Sequence, residues 1–189
     1  MDKKILVLGI GNILWADEGF GVRALEVFHS LYRVPENVSL LDGGTQGLYL
    51  VQFVQEADCL LVFDAIDYGL EPGTLKIVEG DEVPKFTGAK KMSLHQTGFQ
   101  EVLSAADLLG DYPENLALIG CQPEDLENWG GPLTRPVRDQ LVRAAEVAAS
   151  VLERWGAPCA RRDASEKVEP LLGNDIDHAS YERLIAAAE

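Results

Sequence analysis

The sequence predicts an α/β fold of three layers: a twisted, mostly parallel five-stranded sheet, helices on both faces, and one antiparallel edge strand. Three observations carry that expectation. Near-continuous apolar runs recur along the chain, as strands buried on both faces require. They alternate with segments of helical periodicity in the order strand, helix, strand, helix, strand. One later connection is too short for a parallel crossover.

The elements follow in order. Lys4-Ile5-Leu6-Val7-Leu8 is an apolar run closed by Gly9, the first buried strand. Val22, Leu25, Phe28 and Tyr32 then recur at helical spacing, which places a helix start near Glu18 or Gly19. Val38 to Asp42 reads as the second strand, Leu48 to Gln55 as a short helix, and Cys59 to Asp64 as the third strand. The next strand, Thr74 to Glu79, follows after residues 65–73, with Gly69, Pro72 and Gly73 among them. A parallel crossover takes about a dozen residues or more, so this strand is expected antiparallel, at an edge. Gly80 to Gln96 reads as loop, Phe99 to Leu109 as a helix and Leu116 to Cys121 as the fifth strand. Thr134 to Trp155 reads as one long helix, with Val137, Leu141, Ala145, Ala148 and Leu152 on one face and Gly156 to stop it. The pattern then degrades, and a terminal helix is expected over His178 to Ala187. The organisation expected is one α/β domain over 1–156 and a partly helical extension over 157–189.

Composition narrows the function classes. The chain has 189 residues with 47% hydrophobic and 25% charged, enough for a full core. Its formal charge is −15. Binding nucleic acid or anionic lipid through a broad basic face is therefore excluded, since that binding runs on Lys and Arg. No apolar run reaches the roughly 18 residues of a membrane span, and no signal peptide is read at the N-terminus. Cys59, Cys121 and Cys159 form no CxxC pair, so neither a disulfide framework nor a cysteine zinc site is suggested. A cytoplasmic, reduced protein is expected.

Ligands of open α/β sheets bind beyond the carboxyl ends of the parallel strands. That rule selects the loop Gly9 to Gly21, the strand end Asp42-Gly43-Gly44-Thr45, and Asp64-Ala65-Ile66-Asp67. Gly9-x-Gly11 starts a dinucleotide fingerprint, but Leu14 stands where the third glycine belongs, which argues against a nucleotide. Asp17 suits an N-cap as readily as a site role. Glu18, flanked by Gly19 and Gly21, lies near the functional edge. Asp64 closes an apolar run, where burial is expected and a buried carboxylate needs a partner. His95 stands before a helix, whereas His29 lies within one and His178 in the weakly patterned tail. Glu18, Asp64 and His95 together would make a two-carboxylate, one-imidazole set suited to a divalent first-row metal.

These stretches carry a resemblance. Gly9 to Gly21, Asp42-Gly-Gly-Thr45, Asp64-Ala65 and Ser93-Leu-His95-Gln96 are similar, in order, to the signature stretches of the hydrogenase maturation endopeptidases. Trp15, Gly19-Phe20-Gly21, Asp67 to Thr74 and Lys90 to Ser93 resemble most the branch serving membrane-bound uptake hydrogenases. The similarity spans about residues 3–155. It implies a twisted sheet with helices on both faces. It implies that Glu18, Asp64 and His95 bind nickel, an ion brought by the substrate. That substrate is the large-subunit precursor of a nickel–iron hydrogenase, which loses a short C-terminal peptide. Asp42, Gly43, Gly44 and Thr45 are family-typical and suit positioning of the substrate tail.

The chemistry of the residues is compatible. Nickel held by two carboxylates and a neutral imidazole keeps other ligand positions. It would polarise the scissile carbonyl or activate water, and the motif does not choose between the two. No serine, cysteine or threonine stands in a recognisable nucleophile motif, which disfavours covalent catalysis. The alternative reading is a nickel-sensing chaperone that binds the same precursor without cutting it.

Overall fold

The computed structural model describes residues 3–84, 94–173, 176–178 and 180, and of residues 94–98 the backbone alone. The first strand, β1, is Ile5–Ile10, buried throughout. A 3-10 turn over Ala16–Gly19 leads into α1, Phe20–Leu31, followed by the two-residue strand β2, Tyr32–Arg33. Then come β3 (Val38–Gly44), a 3-10 turn over Gly47–Leu50, α2 (Val51–Gln55), β4 (Cys59–Ala65) and β5 (Leu75–Glu79). The second half holds α3 (Leu94–Leu109), β6 (Asn115–Cys121), α4 (Arg135–Arg138), α5 (Leu141–Arg154) and β7 (Ala160–Arg161).

The main sheet has the order β3-β1-β4-β6-β5. Strands β3, β1, β4 and β6 are parallel. Strand β5 runs antiparallel to β6 at the edge, Leu75 opposite Cys121, as the short connection requires. Alternation along the strands builds two cores. Val7, Leu61, Phe63 and Ile119 face α1 and α5, packing with Phe20, Phe28, Ala144 and Leu152. Leu6, Leu8, Leu60, Val62 and Leu118 face α2 and α3, packing with Val54, Phe99, Val102 and Leu103. Both faces are covered, which is why the central strands read as apolar runs rather than alternating ones.

Several boundaries differ from the sequence reading. The loop expected through Gln96 ends earlier, because α3 already begins at Leu94; residues 85–93, which include Lys90 to Ser93, lie outside the described residues. The long helix expected over Thr134 to Trp155 is two helices. Asp139 still bonds four residues back, to Arg135, but Gln140 N–H reaches only three back, to Val137, and that tighter step separates α4 from α5. Gly156, at φ 84°, does close α5.

The tail is tied to α1. Strand β7 pairs with β2. The Arg162 Nε donates to the carbonyls of His29 and Tyr32, and Glu166 accepts from both Arg162 and Arg33. Further on, the buried Arg23 donates to Glu26 at 2.7 Å and to the Ile176 carbonyl at 2.8 Å, while His178 N–H donates to Glu26. The terminal helix expected over His178 to Ala187 lies, from 181 onward, outside the described residues. Among the described residues no helix is long and apolar enough to cross a membrane.

The start of α1 meets the strand ends backbone to backbone. A Cβ on Gly21 would stand 2.2 Å from the Ile10 carbonyl oxygen and 2.3 Å from that of Phe63. Neither oxygen is free to swing aside, since both strands are fixed in the ladder. Gly21→Ala is expected to destabilise the fold by about 1–3 kcal/mol, the usual cost of overpacking. Urea denaturation of purified wild type and variant measures it; an unchanged midpoint would show that α1 can back away freely.

Candidate active site

The carboxyl ends of β3, β1, β4 and β6 share one edge of the sheet. After β1 the chain passes Gly11, at φ 134°, and returns so closely that a Cβ there would lie 1.8 Å from the Glu18 carbonyl oxygen. Only glycine permits that geometry. Ala16 also adopts a positive φ, 34°, a conformation residues with a Cβ seldom take.

Asp17 locks this turn in place. It is fully buried. Its Oδ1 accepts from Thr134 N–H at 2.7 Å. Its Oδ2 accepts from the N–H groups of Glu124 and Asp125, at 2.8 and 2.9 Å, and from the Thr134 hydroxyl at 2.9 Å. The carboxylate therefore joins the loop after β1 to the loop after β6. Asp17 N–H in turn donates to the Asp125 carbonyl at 3.1 Å. A cross-loop bridge between Trp15 and Trp129, with edge-on rings 5.2 Å apart, extends the joint. Of the two roles open to Asp17 in the sequence, the structure shows neither a helix cap nor an exposed site acid but a structural clamp.

Glu18, the next residue, is half-buried on the same turn, which packs against β4. Asp64 is 1% exposed, one residue before the end of β4. Strand alternation puts it on the face of Leu60 and Val62, the face covered by α2 and α3. Tyr68 shares that face. Gly120 is the register partner of Asp64, and a Cβ on Gly120 would fall 2.1 Å from the Tyr68 hydroxyl. The phenol thus fills the place of the missing side chain beside Asp64. Burial pushes the Tyr68 hydroxyl's pKa above its ordinary value, and the charge of Asp64 adds to the rise.

His95 lies in the first turn of α3. That helix feeds the amino end of β6 through residues 110–114, so it runs against the strands and its first turn lies at their carboxyl edge. The His95 side chain lies outside the described residues. Among the described residues no three His, Cys, Asp or Glu side chains form a group able to hold an ion. His29, half-buried on α1, sits with Nε2 3.1 Å from the Glu169 carbonyl oxygen, away from this edge.

The end of β3 completes the edge. Asp42 lies opposite Gly9, and its Oδ1 accepts from Gly44 N–H at 2.9 Å. Burial pushes its carboxyl pKa up, against the pull of that bond and of the Arg23 charge. Gly43 is buried under Leu8, Gly44 takes φ 45°, and Thr45 is exposed. The structure therefore gathers Glu18, Asp42, Asp64 and the backbone of His95 at one edge.

Sequence reasoning passed over two contributors, Tyr68 and Gln122. Gln122 follows β6, and its Oε1 accepts from the N–H groups of Tyr68 and Leu70 while its Nε2 donates to Asp67. It thereby secures the connection from β4 to β5 across the end of β6. The rule that selected the other strand ends would have selected this one too.

The sequence model of the family described as hydrogenase maturation protease matches residues 22–151. The chain belongs to that family. It is 70% identical over 182 residues to the hydrogenase expression/formation protein HupD of Bradyrhizobium diazoefficiens, covering 96% of this chain and 95% of that one. It is 41% identical over 163 residues to the hydrogenase 2 maturation protease of Escherichia coli, covering 85% and 98%. Among solved structures, the hydrogenase maturating endopeptidase HybD from E. coli superposes with a TM-score of 0.80 at 39% identity, covering 84% of this chain and 98% of that one. This hydrogenase maturation protease is accordingly an endopeptidase on a mostly parallel sheet with one antiparallel edge strand.

Cysteine is poorly placed to act as its nucleophile. Cys59 and Cys121 are fully buried. Burial, then the charge of Asp17, pushes the Cys121 thiol up to about 12, and burial pushes Cys159 to about 11. Thiolate is the reactive form, so little is available near neutral pH. Iodoacetamide at pH 7.5 is expected to leave the native protease's cleavage rate unchanged; inactivation in proportion to labelling would contradict this. Asp17→Asn supplies one oxygen where two are used and turns an amide N–H₂ towards donors. It is expected to cost about 1.5–3 kcal/mol of stability, the range for a hydrogen bond to a charged group. Thermal unfolding measures it, and a shift no larger than that of a surface variant would show the clamp to be weak.

Proposed function

We propose that this protease removes a C-terminal peptide from the nickel-loaded large-subunit precursor of a nickel–iron hydrogenase, in the cytoplasm, with Glu18, Asp64 and His95 as the residues that bind the substrate's nickel. The supporting observation is their convergence. Two carboxylates and the first turn of α3 meet at one sheet edge although the residues are far apart in sequence. Glu18 and Asp64 also differ usefully: one is half-buried on a clamped turn, the other is buried on a strand.

The donor set suits the ion. Two carboxylates and a neutral imidazole suit a divalent first-row metal and leave positions for the substrate's own ligands. A bound cation would also balance the charge of the buried Asp64. When present, the ion supplies Lewis-acid chemistry, by polarising the scissile carbonyl or lowering the pKa of a water. Glu18 and Asp64 orient it against the strand ends. Asp42 to Thr45, on the neighbouring strand, position the substrate's tail. The resemblance to the uptake-hydrogenase branch points to a hydrogenase of that kind.

The test is cleavage of nickel-loaded precursor, read by mass. Glu18→Gln and His95→Ala are each expected to lower the rate at least 100-fold with circular dichroism unchanged. The double variant should be little worse than the poorer single, because ligands of one ion act as a unit. His29→Ala should cleave normally. A folded Glu18→Gln or His95→Ala protein cleaving at the wild-type rate would overturn the assignment. Binding of precursor with no mass change by the wild type would make the protein a chaperone instead.

A further inference from the structure

Large exposed apolar side chains occur on the loop or turn that follows each of the four parallel strands. Leu14 follows β1 and is 39% exposed. Leu48 and Tyr49 follow β3, at 58% and 79%. Leu70 follows β4 at 45%, and Trp129 follows β6 at 63%. All five lie at the carboxyl edge, around Glu18 and Asp64. Single exposed apolar residues are ordinary, but their recurrence on every loop of one edge is not.

The backbone that carries these side chains is held, and the Trp129 ring itself rests edge-on against Trp15. Gly130 N–H donates to the Leu14 carbonyl at 2.8 Å, and the Trp15–Trp129 bridge and the Asp17 carboxylate join the same two loops. Gln122 fixes Leu70 through its N–H. The turn that carries Leu48 and Tyr49 packs against α3. Anchors on a backbone that is already ordered spare binding the cost of ordering their loops. Beside Trp129 the edge is acidic. A cavity of about 350 Å³ is lined by Asp67, Gln122, Glu124, Asp125 and Glu127 among others.

We infer that this edge is the docking surface for the folded body of the hydrogenase precursor, whose complementary face is apolar with Lys or Arg beside it. The inference rests on the proposed function and adds to it the means by which the substrate is chosen. The apolar groups stand on the loops at the same sheet edge as Glu18 and Asp64, so a partner broad enough to cover them spans that edge. Four adjacent strands at about 4.8 Å spacing set the anchors across roughly 15 Å of sheet edge, before the loops add their reach. One excised peptide in a groove touches part of that breadth, whereas a folded partner covers all of it. The acidic flank sets the sign of the partner's charge and predicts association that weakens with salt.

The experiment uses full-length protease and nickel-loaded precursor, with affinity measured by biolayer interferometry and cleavage by mass. Trp129→Ala and Tyr49→Ser are each expected to weaken precursor binding at least tenfold and to raise KM similarly, while kcat falls less than threefold. The control is Leu108→Ser. Leu108 is 88% exposed near the end of α3, at the opposite edge, and its replacement should change neither. Raising salt from 50 to 500 mM should weaken wild-type binding. If Trp129→Ala and Tyr49→Ser bind and cleave as wild type does, the docking surface is wrong and the protease reading stands. If they lose binding but the wild type never cleaves, docking stands and the protease reading falls. If the wild type neither binds nor cleaves precursor, both fall. If the two variants only abolish self-association, seen by sedimentation, the edge is a dimer face and the inference is overturned.

Discussion

The site hangs on a backbone-to-backbone contact at Gly21. There the first turn of α1 presses on the ends of β1 and β4, between two carbonyl oxygens that leave no room for a Cβ. Because α1 approaches this closely, the turn before it lies on the sheet edge rather than above it. Gly11 leaves room for the returning Glu18 carbonyl on the other side. Two positions without side chains thus set the depth of Glu18 relative to Asp64. The helix then buries Phe20, Leu25 and Phe28 behind that contact, so the geometry is backed by core packing rather than by the turn's own preference.

Asp17 solves a second problem, the joining of two long loops without a regular element between them. A buried carboxylate that accepts four hydrogen bonds keeps its charge satisfied and fixes both partners. Its neighbour Glu18 is left half-exposed on the same 3-10 turn. Adjacent acids thus have different surroundings, because burial and hydrogen bonding differ by one step along the chain.

The sequence reading set Glu18 rather than Asp17 in the candidate site, but it offered Asp17 a helix cap and gave no sign of the clamp to the loop after β6. The fold was legible. Apolar runs marked the strands buried on both faces, and the connection over residues 65–73 marked β5 as antiparallel. The strand-end rule also found Asp42 and Asp64. What it lacked was tertiary contact. Nothing periodic marks the loop 122–134, whose order comes from hydrogen bonds to Asp17 and from the Trp15 bridge. Tyr68 was likewise invisible, since its place depends on a glycine one strand away. The break between α4 and α5 turns on a single hydrogen bond tightening at Gln140, while the apolar face continues unbroken through Val137 and Leu141.

The distribution of rigidity bears on how an endopeptidase restrains itself. Asp64 is fixed by a central strand, Glu18 by a clamped turn, and His95 stands in the first turn of a helix that packs on the sheet face carrying Asp64. On the proposed reading, the three nickel donors come from three separate elements, each placed by its own contacts. A substrate that brings the ion already ligated needs only to complete those contacts. An empty substrate offers the same polypeptide without them, and the difference in binding is then the whole coordination term rather than a fraction of it. On the proposed reading, selectivity follows from leaving the metal out of the enzyme's own structure. The apolar edge would bring the precursor in, and the ion would decide whether cleavage follows.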